Sequence, residues 1–319
     1  MNAAVVESYA KPPRYTSFAD PVAQEGERLV KVTAAGLHPI VKSLANGTHY
    51  GSTGQFPFVA GVDGTGQLED GTRVFFGTAR PPFGTFSELS VARNDFSIPL
   101  PKGLEDETAA AIANPGMSSW VALKARARFA AGESVLILGA TGSAGQLAVQ
   151  IAKRMGARHV VAVGRHVDVD ALKAFGADSV ISLMQDHDAL VTALRAEWDG
   201  AGIDVVLDYL WGQPAEAVFE AIARKGLRHA APRVRFVQIG GSAGPNVTLP
   251  AATLRSSGLE LLGSGFGSAS MKEIVESIGE FFATAAERPF RAKLRVVPLR
   301  DAEKLWGEAG DGVRLVFQP

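Results

Sequence analysis

From Ser134 to Lys153 an apolar run, Val135–Leu138, gives way to glycines at 139, 142 and 145. An amphipathic repeat follows, in which Ala144, Leu147, Ala148, Ile151, Ala152 and Met155 recur at helical spacing. A buried strand that enters a helix through a glycine-punctuated turn leaves few folds open. It predicts a parallel α/β unit with the turn at the carboxyl end of its first strand. The turn suits a dinucleotide pyrophosphate, because glycine lets backbone approach phosphate and a helix N-terminus offers free N–H groups with about half a unit of positive charge. Gly139, Thr141, Gly142, Ser143 and Ala144 are the expected phosphate contacts, and redox chemistry is the expected use.

A glycine pattern is weak without its context. Here a second strand, Val160–Val163, ends in Gly164-Arg165-His166, about 20 residues past the turn, where a dinucleotide fold reads the ribose. An Asp or Glu at that point would accept from a 2′-hydroxyl and repel a 2′-phosphate. Instead Gly164 leaves room and Arg165 offers a planar, permanent cation, which favours NADPH over NADH. The alternatives are that Arg165 is a solvated loop residue and that Asp168 or Asp170 accepts from the ribose.

The 319 residues are 46% hydrophobic and carry a formal net charge of −1, enough chain for two domains and their cores. Mixed charge along the chain argues against nucleic-acid or membrane-surface partners. No apolar run reaches the ~18 residues of a spanning helix. The start of the chain lacks signal-peptide features, so a cytoplasmic location is expected. The absence of cysteine excludes disulfides and thiolate-ligated zinc.

Residues 1–117 read as mostly β, with short apolar runs such as Arg28–Thr33 and Gly71–Phe76 between Gly, Pro and Asp turns. Two alanine-rich helices, Thr108–Ala113 and Ser118–Ala125, are expected to break at Asn114-Pro115-Gly116, a candidate interdomain hinge. Residues 118–266 then alternate strand and helix, as a parallel sheet covered on both faces does. Residues 267–319 carry a helix near 270–286, a strand at Lys293–Pro298 and a closing strand at Arg314–Phe317, and are expected to return to the first domain.

This order of parts resembles the medium-chain dehydrogenase/reductase superfamily, and within it the zinc-free quinone oxidoreductase-like branch. The motifs that carry the resemblance include Val32–Pro39, Pro57–Gly66, Gly84–Glu88, Pro99–Leu104, Asn114–Ser118, the glycine turn and Asp204–Asp208. Gly139 stands where the family turn usually has alanine. The resemblance implies a Rossmann-type doubly wound sheet plus a mostly β, GroES-like catalytic domain. Zinc-dependent relatives place a cysteine where this chain has His38 and a Gly-His-Glu where it has Gly61-Val62-Asp63, so a metal-free hydride transfer is implied.

By the same resemblance, Tyr50 falls close to a family tyrosine that hydrogen-bonds the substrate carbonyl, and His38 faces the expected nicotinamide. The alternatives are a gating loop residue for Tyr50 and a packed polar residue for His38; Lys42 and His49 are weaker candidates. Ser118, Ile239, Gly240, Gly241, Ser264, Gly265 and Phe266 are implied cofactor contacts. Ser182-Leu183 stands where relatives often carry a 2′-phosphate contact, which leaves Arg165 with more of the NADPH case. Phe56, Phe58 and Phe83 are candidates to shape a cleft, whereas Trp120, Trp211, Phe75 and Phe76 are expected in the core.

The leading expectation is thus a zinc-independent NADPH-dependent reductase of a quinone or an α,β-unsaturated carbonyl. An enoyl-thioester or simple ketone reductase is the enzymatic alternative; Arg291 and Lys293 are candidates for carrier phosphates but form no clear cluster. A non-catalytic NADPH-binding protein is the other. A homodimer is implied, with the strand Leu259–Leu262 as a candidate edge.

Overall fold

The computed structural model describes residues 1–223, 232–265, 267–308 and 312–319. The chain divides into two units, the first made of Met1–Pro115 with Ile278–Pro319 and the second of Gly116–Ser277. In chain order the first begins with β1 (Asn2–Val6), β2 (Arg14–Ser17), β3 (Glu27–Gly36), α1 (Pro39–Ala45), β4 (Phe58–Val59), β5 (Asp63–Leu68), β6 (Arg73–Gly77), β7 (Leu89–Arg93) and β8 (Ser97–Pro99). Helix α2 (Asp106–Val121) leads into the second unit. That unit runs β9 (Ser134–Leu138), α3 (Ser143–Arg154), β10 (His159–Gly164), α4 (Val169–Phe175), β11 (Ser179–Ser182), α5 (His187–Asp199), β12 (Val205–Asp208), α6 (Gly212–Ile222), β13 (Arg233–Gln238), α7 (Ala251–Ser256) and β14 (Gly258–Gly263). Helix α8 (Met271–Glu287) brings the chain back for β15 (Lys293–Pro298), α9 (Ala302–Leu305) and β16 (Val313–Gln318).

The second unit holds a six-stranded, all-parallel sheet in the order β11-β10-β9-β12-β13-β14. Strands β9 and β10 have no polar face to show: Val135–Leu138 and Val160–Val163 are all fully buried, as expected of a sheet covered on both sides. The order reverses between β9 and β12, so the carboxyl ends of these two neighbours diverge into separate turns and leave a crevice at the switch point. The glycine turn leaves β9 at that point.

The first unit is mostly β. A seven-stranded mixed sheet runs β15-β16-β3-β5-β6-β8, with β7 also paired to β3, and a small sheet is ordered β2-β1-β4. The two closing strands β15 and β16 pair with each other in parallel, and β16 joins β3, so the C-terminal segment returns to the first unit. Its core collects Phe76, Phe86 and Phe317, each essentially without exposure.

One expectation fails. The helix break at Asn114-Pro115-Gly116 is absent: α2 runs unbroken from Asp106 to Val121 with Pro115 inside it, then widens into a π turn over Ala122–Arg126. Proline removes one helical hydrogen bond and costs about 3 kcal/mol in a helix interior. Burial wins here, because beyond the proline Ser119–Leu123 are all buried and would lose that packing if the helix ended at Asn114.

Candidate functional site

Two groups of predicted residues separate by unit. In the second, the parallel strands deliver their carboxyl ends to one edge of the sheet. That edge gathers the turn after β9, Gly164-Arg165 after β10, Ile239–Gly241 after β13 and Ser264-Gly265 after β14. Phe266 lies outside the described residues.

The turn after β9 is held by backbone. The N–H groups of Gly139 and Ala140 both donate to the Val163 carbonyl (2.8 and 2.9 Å), and Gly142 donates to the Gly139 carbonyl (3.1 Å). Gly139 has φ +94°, a conformation open chiefly to glycine. Gly145 is demanded by packing: a Cβ there would lie 2.2 Å from the Gly139 oxygen. Gly142 caps α3 in extended conformation, and the first intrahelical bond from this end is Gln146 N–H to the Gly142 carbonyl (2.9 Å). Helix geometry therefore leaves the N–H groups of Ser143, Ala144 and Gly145 pointing out of the helix start, beside an exposed Gly142. The result is a cradle for an anion, formed without a cationic side chain.

At the end of β10 the structure changes part of the reading. The space expected over Gly164 is partly taken: a Cβ at Gly164 would meet the half-buried Thr141 side chain at 2.7 Å, so Thr141 packs against Gly164. Arg165 is exposed, and no hydrogen bond or ion pair holds its guanidinium among the described residues. The carboxylate of Asp168 is engaged, since its Oδ1 accepts from the Ala171 N–H (3.0 Å) as the N-cap of α4. Arg165 thus offers an unpaired cation at this corner, and the exposed Asp170 offers an unpaired carboxylate, among the described residues.

Two residues at the edge carried no predicted role. Asp208 ends the apolar β12, wholly buried. Its Oδ1 accepts from the N–H groups of Leu210 (2.8 Å) and Trp211 (3.0 Å), while its carbonyl accepts from Ile239 (2.8 Å) and Gly240 (3.1 Å). Asp208 thereby ties the turn after β12 to the expected cofactor backbone after β13. Burial pushes its carboxyl up to about 6, opposed by those backbone donors. Next to it the Tyr209 hydroxyl lies 3.3 Å from the Ser118 hydroxyl, and burial raises the phenol to about 12. A carboxylate closing an otherwise apolar strand was the available sequence signal. A crevice of about 410 Å³ opens here, lined by Trp211, Gln238, Gly241 and Leu261 among others.

In the first unit His38 and Tyr50 are not brought together. Tyr50 is 81% exposed, and its ring lies against that of His49, 4.2 Å between centroids. His49 is committed locally, its Nδ1 accepting from the Gly51 N–H (3.0 Å), and the Lys42 ammonium donates to the Glu308 carbonyl (3.1 Å). His38 has no exposure at all; its Nε2 sits 3.3 Å from Asp63 Oδ1. Asn114 Nδ2 donates to the other Asp63 oxygen (3.2 Å), and Arg314, which donates to the Leu37 carbonyl (2.7 Å), adds its charge nearby. Desolvation is the largest influence on His38 and holds its pKa below the usual histidine value, so the ring is neutral; Asp63 pulls the other way. These surroundings fit the packed-residue alternative for His38 rather than contact with substrate.

A catalytic zinc site needs three protein ligands and an open position. Among the described residues no three His, Cys, Asp or Glu side chains converge, and the enclosed His38–Asp63 pair supplies two. Among the described residues, that donor set is one ligand short of a zinc site.

Comparison with known proteins agrees with the fold. A family model described as zinc-binding dehydrogenase matches residues 144–280. A probable NADPH-dependent quinone reductase of Emericella nidulans is 26% identical, the match covering 100% of both chains. The crystal structure of the quinone oxidoreductase from Thermus thermophilus, also solved with NADPH, superposes with a TM-score of 0.80 at 27% identity over 100% of both chains. These likenesses are to the medium-chain dehydrogenase/reductase superfamily, and along the whole chain to quinone oxidoreductases. Within the superfamily it also matches a phenolphthiocerol/phthiocerol polyketide synthase of Mycobacterium tuberculosis, 34% identical over 66% of this chain and 9% of that protein.

Proposed function

We propose that this chain is a zinc-independent, NADPH-dependent reductase that delivers hydride to a quinone or an α,β-unsaturated carbonyl. The observation that carries the reading is the cradle of Gly139–Gly145, whose backbone N–H groups and glycine clearances fit a dinucleotide pyrophosphate at the switch point of the parallel sheet. When bound, NADPH supplies two electrons and a proton as hydride. Arg165, unpaired at the end of β10, neutralises a 2′-phosphate and sets the preference over NADH. The backbone of Ile239–Gly241, fixed by Asp208, orients the nicotinamide end, and Tyr209 braces Ser118 beside it.

For the acceptor, Tyr50 is the assigned donor. Its exposed phenol can hydrogen-bond the acceptor oxygen as negative charge develops there, and passes on the second proton that reduction requires. His38 takes no direct part, since none of it is accessible. A second copy of the chain is the proposed partner, along β14, the edge strand of the six-stranded sheet, on which Leu261 is exposed.

The fungal and bacterial quinone reductases support the quinone reading, and the polyketide synthase match favours an enoyl thioester as the second. The test is anaerobic oxidation of NADPH and NADH by the purified chain with 1,4-benzoquinone, 9,10-phenanthrenequinone, an alkenal, an enoyl thioester and a simple ketone, each repeated with chelator. Turnover of quinone or alkenal that prefers NADPH and ignores chelator is expected. Loss of turnover with chelator refutes the metal-free mechanism, and tight NADPH binding with no turnover refutes the reductase. Tyr50→Phe is expected to lower kcat by about 30-fold, within the range for a single proton donor.

A further inference from the structure

We infer that a cavity lying wholly within the first unit receives the body of the acceptor, and that it selects an uncharged, ring-bearing carbonyl over a phosphate-bearing thioester. The substrate assignment rests on the reductase reading; the ligand class of the cavity does not. The cavity measures about 450 Å³, within the size range of small-molecule sites, and is lined by Tyr9, Phe56, Phe58 and Phe83 together with Gly61 and Val62. No charged side chain lines it among the described residues.

The aromatic walls are ordered against one another. Phe56 and Phe58 stack with centroids 5.8 Å apart at 26°, and Tyr9 meets Phe56 edge-on at 4.7 Å. Phe56 nevertheless keeps 39% of its surface exposed, so one ring face remains for a ligand to cover. Arg80 lies 5.5 Å from the Phe83 ring centre but is paired with Glu27 (2.9 Å), and so is not offered to an anion.

A phosphate enclosed in the cavity would meet no cation, only the neutral polar groups of Ser52, Thr53 and Gln55, too little to offset its desolvation. A quinone or aryl enone needs apolar area and a ring partner, which this cavity has. The lining also bears on the chemistry, because Gly61-Val62 leads directly into Asp63 and Val41, another lining residue, lies in the helix that His38 begins. The buried His38–Asp63 pair thus stiffens two of the segments that form the wall.

The experiment measures binding apart from turnover. The full chain, without NADPH, is titrated with 1-naphthol, an uncharged fluorescent ring compound, and with 1-naphthyl phosphate. The phosphate is expected to bind at least tenfold more weakly. Phe56→Ala is expected to weaken 1-naphthol about tenfold and Phe56→Tyr, which restores the ring, less than twofold, with thermal melts of both variants confirming the fold. Equal binding of the phosphate, or an unchanged affinity in Phe56→Ala, overturns the cavity assignment. Naphthol binding with no NADPH-dependent turnover leaves the cavity standing and refutes the reductase; faster turnover of an enoyl thioester than of naphthoquinone refutes the substrate class alone.

Discussion

The glycine cradle of the second unit and the His38 cluster of the first are built on opposite principles. The cradle is backbone from neighbouring residues, and its shape is dictated by where a Cβ cannot go. The cluster is made of side chains from four distant parts of the chain: His38 and Asp63, closed off from solvent, with Asn114 and Arg314 half-buried around them. One is a surface for a ligand. The other is a packed polar core that holds a wall in place.

Breaking the cradle should have the largest effect. Gly145→Val drives a side chain into the Gly139 oxygen and is expected to weaken NADPH by about a thousandfold, roughly 4 kcal/mol, in a fluorescence titration. Retained tight binding would mean that the phosphates lie elsewhere. Asp63→Leu tests the other side of the comparison. It strands the half-buried Asn114 amide and leaves Arg314 without its anion, and stability should drop by about 3 kcal/mol in denaturant melts while NADPH affinity stays within twofold. An unchanged melt with collapsed kcat would move the pair from scaffold to chemistry.

The pH dependence of stability separates the two regions by sign. Asp208 titrates at about 6 in the folded chain against an ordinary 3.8, so its contribution is complete at low pH and is lost as pH rises from about 4 to 6. His38 has a lowered pKa, so its contribution is present above 6.5 and is lost as pH falls below that value. Asp208→Asn, whose amide oxygen can still accept from Leu210 and Trp211, should abolish the first slope, raising stability near pH 7 by about 2 kcal/mol, and leave the second in view. A melt series from pH 4 to 8 decides this. The smallest expected effect is at Arg165. Its alanine variant should narrow the preference for NADPH over NADH about tenfold, in kcat/KM, as loss of one charged phosphate contact does.

This contrast explains what could be read in advance. The strands and helices of the second unit follow from hydrophobic period and glycine position, which are local, and β9, α3 and β10 lie within a residue of their expected limits. The enclosure of His38 could not be read locally, because it depends on β5, α2 and β16 closing around α1. Pro115 misled for a related reason. Its breaking tendency is local, whereas the burial of Ser119–Leu123 that overrides it is not. The packing of Thr141 against Gly164 is likewise a contact between two turns, and no spacing announces it.

The uninterrupted α2 has a further consequence. Both crossings between the units, at Pro115–Gly116 and at Ser277–Ile278, fall inside helices, α2 and α8, rather than in loops. A protease needs an extended stretch of chain and finds none at either junction, so limited digestion should not liberate the dinucleotide half intact. For the same reason, an engineer who wishes to exchange one half for a relative's must splice two helices in register, since there is no linker to cut.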